Sequence, residues 1–206
     1  LLWSSFLVTA QEVLLGILVA TVFGFLLAVA IHFSLTLRRA TYPLAVASQA
    51  VPVAVFAPVL AFWLGYGILP KLVVVAVVSF FSIVVTTTAG LAAVDPDLLK
   101  LMRTFEASRL RTFRHVELPS ALPSVFTGAK IAVAVSVIGA VFAEYTGSNS
   151  GLGYVILVSE PQLLVARAVA AVVILSLFAI ALFAVLALAE RLALPWAYRT
   201  PEERPA

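Results

Sequence analysis

The chain has 206 residues, 63% of them hydrophobic and only 11% charged, with a net charge of +3. A soluble domain of this size could not hide so much apolar surface, so a water-soluble globular protein is excluded and the bilayer is the solvent for most of the chain. The apolar runs are continuous and rich in Leu, Ala and Val, which excludes the alternating pattern of a β-barrel and leaves spanning helices; with no cysteine, a disulfide framework and a thiolate metal site are excluded as well.

A spanning helix needs roughly 20 mostly apolar residues. In chain order the candidate spans are Val8–Phe33, Tyr42–Leu64, Lys71–Val94, Pro123–Phe142 and Leu163–Ala189. The expected fold is therefore an all-α, polytopic membrane helical bundle of about five spans, with residues 1–206 forming a single transmembrane domain. Because the chain begins at Leu1 rather than Met, a further N-terminal span is expected ahead of it.

Arg38 and Arg39 follow the first span, Lys100, Arg103, Arg109, Arg111 and Arg114 crowd the loop after the third, and Arg191, Arg199 and Arg204 follow the last. Simple alternation puts all of them on one side, which the positive-inside rule makes cytoplasmic. Gly65–Pro70 and Glu144–Gln162 then face outward. Trp63 and Tyr66 on that side, and Trp196 and Tyr198 on the other, read as interface anchors.

The loop between the third and fourth spans, 95–118, is the informative segment. Leu98, Leu101, Met102 and Phe105 are spaced i, i+3, i+4 and i+7 and so share one helical face, with Lys100 and Arg103 projecting elsewhere. Asp95 as N-cap, Pro96 at the first helical position and Asp97 in the first turn suit a helix start. A further turn or two is predicted over Leu110–Glu117, with Leu110 and Phe113 inward, Arg114 paired to Glu117, and Pro119 ending it. Pattern alone leaves two readings open, a basic amphipathic helix lying on anionic lipid or one docking on a protein partner.

No catalytic centre is legible. No G-x-x-x-x-G-K-[ST] loop is present, so ATP must be bound elsewhere. His32 and His115 have no neighbours with metal-ligand spacing and read as interfacial or solvated side chains. Candidates for a solute pathway are polar residues inside spans, which are costly in lipid without partners. These are Gln49, Ser79, Ser82, Thr86 and Ser136. Ser79, Ser82 and Thr86 share a face that lines either a pathway or a helix contact, and packing is the better reading for such hydroxyls. Gln49 is the preferred pathway residue. Glu144, at an outer span end, suits the headgroups equally well, and Glu12 and Lys130 are the nearest approaches to intramembrane charge.

The stretch LLKLMRTFEASR, followed by FRHVELPSALP, resembles the cytoplasmic loop of permease subunits of bacterial ABC importers, the binding-protein-dependent inner-membrane components. In that family a Glu-Ala-Ala motif, three residues and a Gly precede a Leu-Pro. Lys100, Leu101 and Met102 stand at the Glu-Ala-Ala positions and Glu106 at the Gly position, a departure, whereas Leu118-Pro119, Ala121-Leu122-Pro123, Gly128 and Gly151-Leu152-Gly153 stand where the family has them. SQAVPVAVFAPVLAFWLGYG, VIGAVFAEYTGSNSGLGY and ALAERLALPW carry a resemblance to the nitrate, sulfonate and taurine branch, and within it to permeases for thiamine pyrimidine precursors.

The resemblance implies a type I importer permease fold in the bacterial inner membrane. It implies a coupling helix in which Leu101, Met102 and Phe105 fill a groove of a cytoplasmic ABC ATPase dimer, with Lys100, Arg103, Glu106 and Arg109 around them. It further implies an extracytoplasmic solute-binding protein, a second permease copy, and ATP with Mg used by the ATPase, this chain binding no cofactor or metal. Lipid is the expected surrounding and nucleic acid is no partner. If the family glycine has a positive φ, a glutamate there costs on the order of 1 kcal/mol; otherwise Glu106 crowds the partner, or pairs with Arg103 or Arg109 and extends the helix. Sulfonate, taurine or nitrate import is the alternative. A secondary transporter or a non-transporting membrane subunit is less favoured, because the former is expected to carry intramembrane ionisable residues or inverted repeats in a longer chain.

Overall fold

The computed structural model describes residues 1–48 and 52–198. The helices are α1 (Leu2–Phe33), α2 (Leu35–Ser48), α3 (Val53–Leu64), α4 (Ile68–Ala92), α5 (Pro96–Thr104), α6 (Arg109–Thr112), α7 (Leu118–Tyr145), α8 (Leu152–Ser159) and α9 (Val165–Ala193). A π-helical turn, Phe113–Glu117, joins α6 to α7, and a 3₁₀ turn, Pro195–Tyr198, follows α9.

Helix α4 lies between α1 and α7, and small residues set how closely the three approach. Along α1 the residues Gly16, Ala20, Gly24 and Ala28, four apart, are all buried, and a Cβ at Gly16 would collide with Val75 of α4. On α7 the buried series is Gly128, Ala132, Ser136 and Ala140, and a Cβ at Gly128 would strike the Thr86 hydroxyl. Lipid tails are as apolar as leucine, so association inside the bilayer rests on such close backbone packing. Ala20, Ile83 and Ala132 form a buried cluster in mid-bundle, and Val13, Val75 and Ala140 form another.

Chain direction follows from the ion pairs. Glu12 in α1 pairs with Lys71 in the first turn of α4, while Val29 and Phe33 of α1 pack with Leu91 of α4 and Phe113 at the other end. Helices α1 and α4 are therefore parallel, and the chain between them must cross back. Among the described residues, four helices, α1, α4, the continuous Arg109–Tyr145 run and α9, are each long and apolar enough to span by themselves. Within the return crossing expected as Tyr42–Leu64, α2 runs to Ser48 and the 12-residue α3 starts at Val53 after Pro52, while residues 49–51 lie outside the described residues.

Helix α9 buries only Ala171, Leu175 and Glu190, leaving Leu177, Ile180, Phe183 and Leu188 on the surface where lipid meets them. Pro119 does not end a helix as predicted. The π turn immediately before it closes with the Leu118 amide on the Phe113 carbonyl, and the wider turn accommodates a residue that has no N–H to donate.

Candidate functional site

The amphipathic helix predicted between the third and fourth spans is α5, and it projects from the bundle without a buried residue. Its start is built as the sequence suggests: the Asp95 carboxylate accepts the Asp97 amide at 2.8 Å, Pro96 opens the helix, and Lys100 pairs with Asp97 at 2.7 Å. Leu98, Leu101 and Phe105 are exposed, Phe105 by 71%, with Met102 half-buried beside them and Arg103 exposed. Each such side chain gains about 1.5–3 kcal/mol when fully removed from water, so the face is primed for a hydrophobic partner.

The helix ends in a Schellman motif. The Ala107 amide donates to the Met102 carbonyl at 3.0 Å and the Glu106 amide to the Arg103 carbonyl at 2.9 Å. The residue at the turn, Glu106, has φ of +50°. Left-handed geometry there explains why a glycine suits this position, and Glu106 therefore carries the backbone cost rather than extending the helix.

Arg109 turns inward along the chain. Its guanidinium lies 4.9 Å from the Phe33 ring centroid and donates to the Phe33 carbonyl at 3.4 Å. Phe33 in turn meets Phe113 at 5.0 Å between ring centroids, and the His32 Nε2–H donates to Glu117 Oε2 at 2.9 Å. Glu117 thus takes His32, not Arg114, as its partner, and His32 is not solvated; Leu110 is exposed rather than inward, whereas Phe113 is buried as predicted.

At the opposite end lies a polar cluster that sequence reading missed. Lys71 donates to Glu12 Oε1 and to Ser148 Oγ, both at 2.7 Å, although Glu12 is only 1% exposed. Counting residues, Glu12 sits about 15 Å from the start of α1, and its isolation in an uncharged run was the available signal. Glu144, fully buried, does not reach headgroups. Its carboxylate accepts the Thr9 hydroxyl at 2.6 Å and the Gly153 amide at 2.5 Å, capping α8 from a neighbouring helix. The Gly151-Leu152-Gly153 run thereby has a structural reason: Gly151 has φ of +109°, and any Cβ on it would meet the Glu144 carboxyl. A recess of about 290 Å³, lined by Gln11, Glu12, Lys71, Ser148 and Asn149, opens beside the cluster.

Of the pathway candidates, Gln49 lies outside the described residues. Ser79 is buried and its hydroxyl donates to the Ala132 carbonyl at 3.4 Å; Thr86 donates to the Ser82 carbonyl and Ser136 to the Val133 carbonyl, both at 2.7 Å, with Ser82 half-buried. All four lie where α4 and α7 meet or beside that contact. Lys130 pairs with the buried Glu190 of α9 at 2.7 Å. Among the described residues, no three His, Asp or Glu side chains gather as metal ligands would.

Residues 20–194 match the family described as binding-protein-dependent transport system inner membrane component. The chain is 37% identical over 183 residues to a "Probable ABC transporter permease protein" of Haemophilus influenzae, covering 89% of this chain and 75% of that one. It is also 37% identical over 188 residues to the "Formylaminopyrimidine transport permease protein ThiX" of Halalkalibacterium halodurans, covering 91% and 75%, and 25% identical over 195 residues to the taurine transport system permease protein TauC of Escherichia coli, covering 95% and 71%. In fold it is similar to a chain of the crystal structure of an amino acid ABC transporter with histidines, TM-score 0.71 at 14% identity over 92% of both chains. A second likeness is to the MetNI methionine ABC transporter in inward-facing conformations, TM-score 0.69 at 19% identity over 92% of this chain and 94% of that one.

Proposed function

The chain belongs to the binding-protein-dependent transport system inner-membrane components, and on that footing we propose that it carries a small nitrogen-containing heterocycle, a thiamine pyrimidine precursor, across the membrane. It is a multi-pass inner-membrane permease subunit of an ABC importer, and ATP is hydrolysed by a separate subunit. The substrate assignment is supported by 37% identity to a formylaminopyrimidine permease over 91% of the chain. Relatives for sulfonates, taurine and nitrate at 25–30% identity support it less.

The observation that carries the mechanism is α5, a helix with an apolar face left uncovered at the basic end of the bundle. In our reading that end is cytoplasmic and the loop 95–118 is the coupling loop. Leu98, Leu101 and Phe105 enter a groove of an ABC ATPase dimer, with Lys100 and Arg103 at the rim, a division between apolar anchor and charged edge common to protein interfaces. ATP and Mg bind the ATPase, and nucleotide-driven closure moves α5. A second copy of this chain supplies the other docking helix and the other wall of the path, and a binding protein delivers solute at the end bearing Gln11 and Asn149.

The test is uptake by vesicles holding the assembled complex with binding protein outside, using formylaminopyrimidine and taurine as probes. Accumulation of the pyrimidine only with ATP inside is the expected result. Uptake without ATP would overturn the mechanism, and ATP-dependent uptake of taurine alone would overturn the substrate.

A further inference from the structure

Helix α5 has no buried residue, and the structure shows two places where a displacement imposed on it enters the membrane. One is covalent, through Asp95 into Val94 and α4. The other is formed by packing: His32 and Phe33, the last two residues of α1, are held by Glu117, Phe113 and Arg109 of the segment after α5. Phe113 is 9% exposed and shares a buried cluster with Leu91 of α4, Ala121 of α7 and, around it, Val29 and Phe33 of α1. Phe113 and Glu117 open and close the π turn, a widened helical segment found often at functional sites, where one residue more per turn re-aims the side chains that follow.

Resting on the permease reading above, we propose that His32 is a positioning residue, whose hydrogen bond to Glu117 makes the end of α1 move as one body with the coupling loop and so transmits closure to the opposite end of the bundle. The chemistry suits the task. His32 and Glu117 are more than four-fifths buried, at 19% and 13% side-chain exposure, and a hydrogen bond shielded from water is costly to leave unmade. Aromatic contacts of His32 with Phe33 at 5.3 Å and Phe113 at 5.9 Å hold the imidazole in place. Aligned packing of this kind has discrete arrangements rather than a continuous range, which is what transmission of a displacement requires. Helix α1 also bears Glu12 and Gln11 at the opposite recess, so a shift entering at Phe33 reaches the far face along a single rigid element.

The experiment uses the complex with its ABC ATPase in vesicles and a single cysteine at Gln11, an exposed position in a chain without native cysteine. The labelling rate by an impermeant thiol reagent is read with and without ATP, beside ATPase recovery and hydrolysis rate. In the wild-type background ATP is expected to change the rate. His32→Leu should reduce that change at least fivefold while ATPase recovery and hydrolysis stay within twofold, and His32→Gln, which keeps a donor toward Glu117, should retain most of it. A full ATP response in His32→Leu, or equal losses in His32→Leu and His32→Gln, would overturn the proposal. Absence of any ATP response in the wild-type background would likewise overturn the proposal, whereas failure of the wild-type chain to retain the ABC ATPase would sink the coupling-loop reading beneath it.

Discussion

Glu106 offers a direct energetic test of the loop. A non-glycine residue in the left-handed region costs about 1–2 kcal/mol relative to the right-handed one, and Glu106 stands there with φ of +50° while its amide and that of Ala107 close the Schellman motif. Glu106→Gly removes that cost. The greater freedom of glycine in the unfolded segment returns about 0.5–1 kcal/mol, so the net gain should be about 0.5–1 kcal/mol. Since α5 buries nothing in this chain, the gain should appear as local stability rather than as global resistance to unfolding. The assay is amide hydrogen exchange of the peptide covering Leu98–Ala107 in detergent or nanodiscs, with Glu106→Ala as control. A gain of that size slows exchange by roughly two- to fivefold. Glu106→Ala keeps the backbone cost and should change little. Unchanged or faster exchange in Glu106→Gly would refute the strain, and equal slowing by Glu106→Ala would place the effect in the charge instead.

Phe105→Asp should weaken capture of the ABC ATPase by about 2 kcal/mol or more, roughly thirtyfold, with membrane insertion unchanged; undiminished co-purification counts against docking through α5. Lys71→Met leaves the Glu12 carboxylate buried without its partner and should cost about 3–5 kcal/mol, read as a lower unfolding temperature in detergent, while the double change Glu12→Leu with Lys71→Met should recover most of it. A single Lys71→Met variant as stable as wild type would remove the ion pair from the account. Finally, a lone cysteine at Asn149 should react with an impermeant reagent outside intact cells and one at Arg111 should not; Asn149 is the right reporter because the adjacent Ser148 is engaged by Lys71. Labelling at Arg111 would reverse the orientation.

Sequence alone carried the class, four of the crossings and the loop helix, because each of these depends on local terms. Apolar run length sets a span, and the Asp95-Pro96-Asp97 start and the 98/101/102/105 spacing set α5. It also identified Glu106 as a departure without revealing its conformation. What the tertiary structure decided is pairing between residues far apart in the chain. Glu12 and Lys71, Thr9 and Glu144, His32 and Glu117, Lys130 and Glu190 are each brought together by helix packing whose register rests on small residues such as Gly16 and Gly128. A carboxylate in an apolar run announces that it needs a partner, but nothing local names which one. That depends on which helices lie side by side and at what height, and in lipid these are set by shape complementarity summed over whole helices rather than by any single stretch of sequence.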